Sequence, residues 1–307
     1  MDPIQNININ KDSSFAMLLE AQRRNWTLFY MEIGDLFMRD GRSFGSMREI
    51  QVTRDPNNWF AMQSPAQEQA LGSLDILLMR KDPPFDQEYI YATYILESAE
   101  ADGTFVVNKP ASLRDANEKM FTAWFPDCCP ATLVSRKSSQ IRRFLEEQKQ
   151  IIVKPLDGMG GASVFHLGPN DPNISVILET ITEHEHRFVM AQKYIPEIRE
   201  GDKRILLING KAVPYCVARI PAKGETRGNL AAGGHAEIRP MSKRDFWIVE
   251  QIASKLVDKG LIFVGIDVIG DYLTEINVTS PTCIQELDAA CDLNISAQLM
   301  DHIETSL

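Results

Sequence analysis

Long apolar runs are absent from this 307-residue chain. Nothing in it approaches the roughly 18 uninterrupted apolar residues of a membrane-spanning helix. The opening residues, MDPIQNININKDSS, hold no apolar core of the kind that marks a secretory signal. Both absences point to a cytoplasmic protein. Cysteine is sparse: Cys128, Cys129, Cys216, Cys283 and Cys291 are odd in number and show no CxxC spacing. That argues against a disulfide framework and leaves buried, reduced thiols as the expectation for all five. Positive charge is in deficit, with 32 Lys and Arg against 42 Asp and Glu and a formal net charge of -10. A dedicated nucleic-acid binder or a protein adhering to anionic membranes would show the opposite balance. A local cluster of Lys and Arg can still bind phosphate inside an acidic chain. Internal repeats, low-complexity tracts and Ser/His/Asp or Cys/His catalytic arrangements are also missing. His184 and His186, in EHEH, lack a third metal ligand at a recognisable spacing and read as surface residues.

What remains is the composition of a globular enzyme, 44% hydrophobic and 24% charged, long enough for two or three packed domains. Three regions separate by pattern. Residues 1–117 alternate helical and strand-like signals, as in an open α/β domain. Ser13 and Ser14 can cap a helix through Phe15, Leu18 and Leu19. Leu74–Met79 and Phe105–Val107 read as short buried strands. Loops beyond such strands form ligand sites, so Arg80 and Asp82, in the turn after the first, are either candidate substrate contacts or an ordinary charged turn. The chain opens directly on a DPI turn, and a strand that would normally lead into it is expected to be missing. Residues 118–195 form a smaller unit with a helix near Ile141–Gln150, and residues 196–307 hold hairpins, a Gly-rich loop and a late helix.

In IIVKPLDGMGGASVFHL, Gly158, Gly160 and Gly161 lie between two apolar strands, Ile151–Val153 and Ser163–Leu167. Backbone amides without Cβ shielding can approach a polyphosphate closely. The GK[ST] ending of a Walker A loop is absent, and a strand follows where a helix would be needed. The context is a phosphate flap on a hairpin, or a plain turn. Lys154, at the end of the leading strand, and Lys119 are the candidate phosphate lysines.

The segment IFVGIDVIGDYLTEINV is the most informative. Ile262, Val264, Ile266 and Val268 alternate onto one face of a first strand, and Thr274, Ile276 and Val278 onto one face of a second. Joining those faces calls for an odd-numbered loop such as Gly270–Tyr272. Asp267 then stands opposite Glu275, with Asn277 on the same side. Hard oxygen ligands from few protein groups describe a magnesium–nucleotide site. RILLINGKAVPYCVARIP reads as a hairpin around Asn209-Gly210, with Arg204 and Arg219 on one face and Arg219 beyond the paired stretch. Arginine forks suit carboxylates and transferring phosphoryl groups, and equally a structural salt bridge. The following PAKGETRGNLAAGGHAE is expected to be a mobile lid, bringing Arg227 and Asn229 toward a substrate.

These segments together resemble the bacterial glutathione synthetases, ATP-grasp enzymes. The resemblance rests on KPLDGMGGASVF, MAQKYIP, GDKRILLINGKAVPYCVARIP, ETRGNLAAGG and GLIFVGIDVIGDYLTEINVTSPT, and it extends through KDSSFAMLLEAQRR and LMRKDPPFD near the N-terminus. It implies an N-terminal open α/β domain followed by an ATP-grasp fold, α+β in character, with the nucleotide held between two subdomains. It implies ATP-dependent joining of γ-glutamylcysteine to glycine through an acyl phosphate. By the same resemblance Gln192, Lys193, Tyr194 and Ile195 would frame adenine and Asp202 would meet the ribose. Asp267, Glu275 and Asn277 would hold two magnesium ions, with manganese possible in their place. Arg204, Arg219 and Arg227 would act catalytically, and Ser13, Arg80, Asp82, Asn229 and Ser280 would touch substrate. A homotetramer is implied, with no nucleic-acid or membrane partner. Another ATP-grasp ligase, of the D-alanine or protein-glutamate type, and a non-catalytic ATP-binding module stay open as alternatives.

Overall fold

The computed structural model describes residues 1–158, 160–222, 228 and 233–307. Helix α1 (Ser13–Arg23) begins where Asp12, in extended conformation, accepts a 2.7 Å hydrogen bond from Phe15 N. The serines expected to cap this helix lie inside its first turn. Ser13 Oγ accepts from Ile284 N and Ser14 Oγ from Arg80 Nε, so both face across to other elements. Asp12 wins the cap because its short carboxylate reaches the third helical amide from a non-helical position.

An antiparallel sheet follows, formed by β1 (Phe29–Tyr30), β2 (Leu36–Arg39), β3 (Arg42–Val52), β4 (Phe60–Met62) and β5 (Gln67–Ala70). The long β3 pairs with each of the others. Among the described residues parallel pairing is confined to β6 (Ile76–Leu78) and β7 (Phe105–Val107), linked through α2 (Gln87–Ala101). The N-terminal part thus contains the alternating strand–helix–strand unit expected, β6-α2-β7, with an antiparallel sheet beside it that the sequence did not announce. Strands such as REIQV and QEQA carry so many polar residues that their two-residue period is faint in the sequence. Beside β6 lies a cavity of about 450 Å³ lined by residues such as Leu28, Met31, Leu74 and Leu78. Helix α3 (Pro110–Asp115) leads out of β7.

The small unit is a four-stranded antiparallel sheet in the order β10-β9-β11-β8. Its strands are β8 (Thr132–Ser135), β9 (Ile151–Pro155), β10 (Phe165–Leu167) and β11 (Val189–Lys193), covered by α4 (Ser138–Gln148) and α5 (Ile174–Ile181). Ile141, Leu145 and Leu178 of the helices bury against Ile151, Val153, Val189 and Ala191. The two-residue period then sends Ile152, Lys154, Met190 and Gln192 to the uncovered face, where Met190 is paired with Lys154 and Gln192 with Ile152.

The last region is a five-stranded antiparallel sheet in the order β14-β13-β12-β15-β16. It comprises β12 (Asp202–Ile208), β13 (Lys211–Ile220), β14 (His235–Pro240), β15 (Phe263–Ile269) and β16 (Tyr272–Asn277). Helix α6 (Lys243–Asp258) packs Ile248, Ile252 and Leu256 on the side that holds Ile205, Val264, Ile266 and Ile276. The opposite side is split along its length. Leu206, Val217 and Phe263 are covered by α7 (Ile284–Cys291) and α8 (Ile295–Glu304), while Arg204, Arg219 and Asp267 stand beyond that cover. One sheet face is therefore dry at one end and lines a cleft at the other.

Asn209 and Gly210 both have positive φ (48° and 75°), as the expected type I′ turn requires. A bulge between Ile205 and Leu207 then shifts the register, so that Arg219 pairs with Asp202 inside the ladder and not beyond it. The shift is two residues, which preserves the shared face of Arg204 and Arg219. In the second hairpin the connection is the two-residue Gly270-Asp271, not the odd-numbered loop expected. A bulge at Thr274 supplies the extra residue instead, and Asp267 still pairs with Glu275. Of the cysteines, Cys128, Cys216 and Cys283 are buried, whereas Cys129 and Cys291 are half-buried, short of the burial expected for all five.

Candidate active site

The uncovered face of the small sheet and the polar end of the large one enclose a cleft of about 420 Å³. From the small sheet come Lys154 and the turn of Gly158, Gly160 and Gly161, followed by the strand end Gln192, Lys193, Tyr194 and Ile195. From the large sheet come Asp202, Arg204, Arg219, Asp267, Glu275 and Asn277. Lys119, Asp82 and Ser280 complete the expected residues that border it. The turn needs its glycines: Gly160 and Gly161 sit at φ of 62° and 76°, and a Cβ on Gly158 would come within 2.7 Å of Pro155.

Asp267 is the buried centre of the floor. Arg204 grips it with a fork, Nε to Oδ1 at 2.5 Å and Nη2 to Oδ2 at 2.9 Å. Arg219 Nη2 lies 2.9 Å from Oδ2, and Asn277 Nδ2 donates to the same oxygen at 3.3 Å. Burial pushes the Asp267 carboxyl up, but the two guanidinia outweigh it and hold the group well below the usual carboxylate range. Gly265 makes room for this grip, because a Cβ there would meet Arg204 Cδ at 3.1 Å. Arg219 also pairs with Asp202 Oδ2 at 2.6 Å, while Asp202 Oδ1 has no hydrogen-bond partner among the described residues. Burial, and then repulsion from Asp267, lift Asp202 to about 7 despite Arg219.

Glu275 is served by lysines. Lys119 Nζ stands 3.6 Å from it and Lys154 Nζ 3.7 Å. Burial pushes the Lys154 ammonium down. Burial works the same way on Lys119, but Glu275 and Glu118 overcome it and hold that ammonium up. Lys119 Nζ also donates to Gly158 O at 2.6 Å and contacts the Glu118 carboxylate. Among the described residues no three acidic, histidine or cysteine side chains form a ready metal cage. The donor set is instead two carboxylates and an amide on one rigid sheet, which fits magnesium taken up together with substrate phosphates.

Some expected residues fall elsewhere. Arg80 is buried behind the cleft wall, donating to Ser14 Oγ at 3.0 Å and Pro281 O at 2.8 Å, with its guanidinium over the Phe263 ring. Ser13 lies with it at the start of α1 and outside the cleft lining. Arg227, Asn229 and most of the expected lid lie outside the described residues. Lys193 N and Tyr194 N donate to Ala131 O and Gln150 O, so contact with a base would fall to other backbone groups of that strand end. His184 and His186 are exposed, as expected.

Sequence reasoning missed Glu118, Ile152 and Ile269. Ile152 and Ile269 were within reach of strand parity, since each lies two residues from Lys154 or Asp267 on the same face. Glu118 had no such signal. It is brought in because Ile276 N donates to its carbonyl at 2.8 Å.

A cleft between two antiparallel sheets, with a glycine-rich turn above and carboxylates beside arginines and lysines below, defines an ATP-dependent ligase of the ATP-grasp class. The comparisons with known proteins agree. Residues 1–114 match the prokaryotic glutathione synthetase N-terminal domain and residues 118–292 the prokaryotic glutathione synthetase ATP-grasp domain. Glutathione synthetase of Vibrio vulnificus is 60% identical over 307 residues, 100% of this chain and 96% of that protein. Glutathione synthetase of Escherichia coli K12 is 59% identical over 307 residues, 100% of this chain and 97% of that one. A solved ATP-grasp ligase from Chryseobacterium gregarium superposes with a TM-score of 0.64 over 98% of this chain and 95% of its own, at 13% identity, a likeness of fold alone. The chain belongs to the prokaryotic glutathione synthetase family.

Proposed function

We propose that this cleft joins the cysteinyl carboxylate of γ-glutamylcysteine to the amine of glycine, converting ATP to ADP and phosphate. A carboxylate oxygen attacks the γ-phosphorus and the bond to the β-phosphate oxygen breaks, giving an acyl phosphate and ADP. The glycine nitrogen then attacks the acyl carbon, loses a proton, and expels phosphate. The observation that carries this reading is the opposition of the glycine turn and two lysines to Asp267, Glu275 and Asn277 across one cleft.

Lys119, Lys154 and the amides of Gly158, Gly160 and Gly161 hold the phosphates. Asp202 accepts from a ribose hydroxyl through Oδ1, which has no hydrogen-bond partner among the described residues, and the strand end Gln192–Ile195 borders the base. Arg204 and Arg219 face the transferring phosphoryl group and the tetrahedral state, where fixed positive charge lowers the barrier. Asp82 and Ser280 border the acceptor end of the cleft. Asp267, Glu275 and Asn277 would hold two magnesium ions, or manganese, which neutralise phosphate charge when bound. No covalent enzyme intermediate is needed, so positioning and electrostatics carry the rate. The protein works as a homotetramer in the cytoplasm.

The test follows ADP release in the presence of magnesium and ATP, with γ-glutamylcysteine and glycine added singly and together, and weighs the product. ADP release that needs both, with glutathione as product, supports the reading. ADP release that ignores either substrate overturns it.

A further inference from the structure

The tripeptide Asn117-Glu118-Lys119 touches both walls of the cleft. Asn117 Oδ1 accepts from Lys119 N and Met120 N, at 3.2 and 2.8 Å, which fixes the 3-10 turn that carries Lys119. Its amide Nδ2 donates to Leu156 O at 3.0 Å, at the base of the glycine-rich turn. Lys119 Nζ donates to Gly158 O two residues further along that turn. Between them, Glu118 O receives Ile276 N, the amide flanked by Glu275 and Asn277. Three consecutive residues therefore bind the turn on one side and the carboxylate-bearing strand on the other.

We propose that Asn117 is a positioning residue for nucleotide binding: its side chain ties the base of the glycine-rich turn to the segment that is itself pinned to β16. This rests on the functional reading above. The chemistry suits a primary amide in particular. The oxygen accepts from two backbone amides while the nitrogen donates to a carbonyl, and Asn carries these two roles on separate atoms of one short side chain. Asn117→Asp keeps the acceptor and replaces the donor with an oxygen facing Leu156 O. Asn117→Ala removes both. The loss in Asn117→Asp therefore isolates the tie to the turn from the cap of the 3-10 segment.

The test measures binding of ATP with magnesium by calorimetry, hydrogen exchange over residues 156–162, and thermal stability, alongside KM for γ-glutamylcysteine and for glycine. For Asn117→Asp the expected result is about tenfold weaker nucleotide binding and faster exchange at 156–162, with both KM values within about twofold of wild type. Asn117→Ala is expected to weaken nucleotide binding further and to lower stability as well. Wild-type nucleotide affinity in Asn117→Asp overturns the role of Asn117. So does an Asn117→Asp protein that is unfolded, or one that loses affinity for all three ligands alike, since either marks a merely structural part. Failure of the wild-type protein to bind ATP overturns the functional reading and this role with it, an outcome distinct from normal wild-type binding with an unaffected variant.

Discussion

Glu275 differs from its neighbour across the hairpin in the company it keeps. Asp267 is gripped by two arginines, whereas Glu275 stands 3.6 and 3.7 Å from Lys119 and Lys154. It is also the more accessible of the two carboxylates, with 24% of its side chain exposed against 4%. Neutralising Glu275 should therefore leave the fold intact while removing the negative charge that faces the two lysines. Glu275→Gln is expected to melt within a few degrees of wild type and to turn over on the order of 10²–10³-fold more slowly. Near-normal ADP release by that variant would remove Glu275 from the site. Its position was legible in the sequence because alternation along two strands fixes which side chains share a face, whatever the loop between them. The partners of Asp267 were not. Arg204 was placed on the right face by strand parity, but nothing in the sequence shows that it pairs with a buried carboxylate 63 residues away. Arg80 shows the same limit, since a charged residue after a strand gives no sign that it turns inward toward Ser14 and Pro281.

At the scale of elements, α1 is fastened to α8 by a charge cluster that the helical pattern of neither one announces. Glu20 accepts from Arg23 and Arg24, and Arg24 reaches on to Asp301, Glu304 and Ala297 O. The Arg23 guanidinium, with Arg24 and Asn294 behind it, holds the Glu20 carboxyl down at about 2 against the opposing effect of burial. A carboxyl whose value is depressed in the folded state lends stability above its unfolded value, near 4.5, and that stability fades as pH falls through about 2. Glu20→Gln is expected to unfold about 2 kcal/mol more easily at neutral pH. The gap from wild type should narrow as the pH of a denaturant titration is lowered from 4.5 toward 2. A gap that stays constant over that window would show that Glu20 acts through packing alone. The hairpins teach a related lesson about elements. Asn209-Gly210 was legible because a type I′ turn has a local chemical signature. The bulges at Ile205–Leu207 and at Thr274 were not, since they answer to the neighbouring strands, as Thr274 Oγ1 donating to Asp267 O illustrates.

Across the whole molecule, one core joins regions that the chain separates widely. Met47, Leu71, Tyr89 and Leu96 belong to the same buried cluster as Ile248, Ile252, Val264 and Ile266. The polar counterpart of that union is Asn108, which is 4% exposed. Its amide donates to Phe263 O and Val278 O, at 2.8 and 2.7 Å, and its oxygen accepts from Phe263 N at 2.8 Å. Asn108→Ala leaves three buried backbone groups unsatisfied and is expected to cost about 2–4 kcal/mol. Fluorescence and circular dichroism should still report a single coincident unfolding transition, because the apolar core spans the join. Two separated transitions would show that Asn108 alone holds the N-terminal part to the large sheet. The small sheet, by contrast, has its own core under α4 and α5.

The carboxylates of the cleft floor already have cationic neighbours: Asp267 has its arginines, Asp202 has Arg219, and Glu275 has two lysines. For these three carboxylates nucleotide binding is then a trade of partners. A phosphate arriving alone would draw the lysines away and strand Glu275. A divalent cation arriving alone would satisfy Glu275 but confront the lysines with a like charge. Together the two leave Glu275 and both lysines with partners, so the cleft is expected to favour the pair over either member by itself.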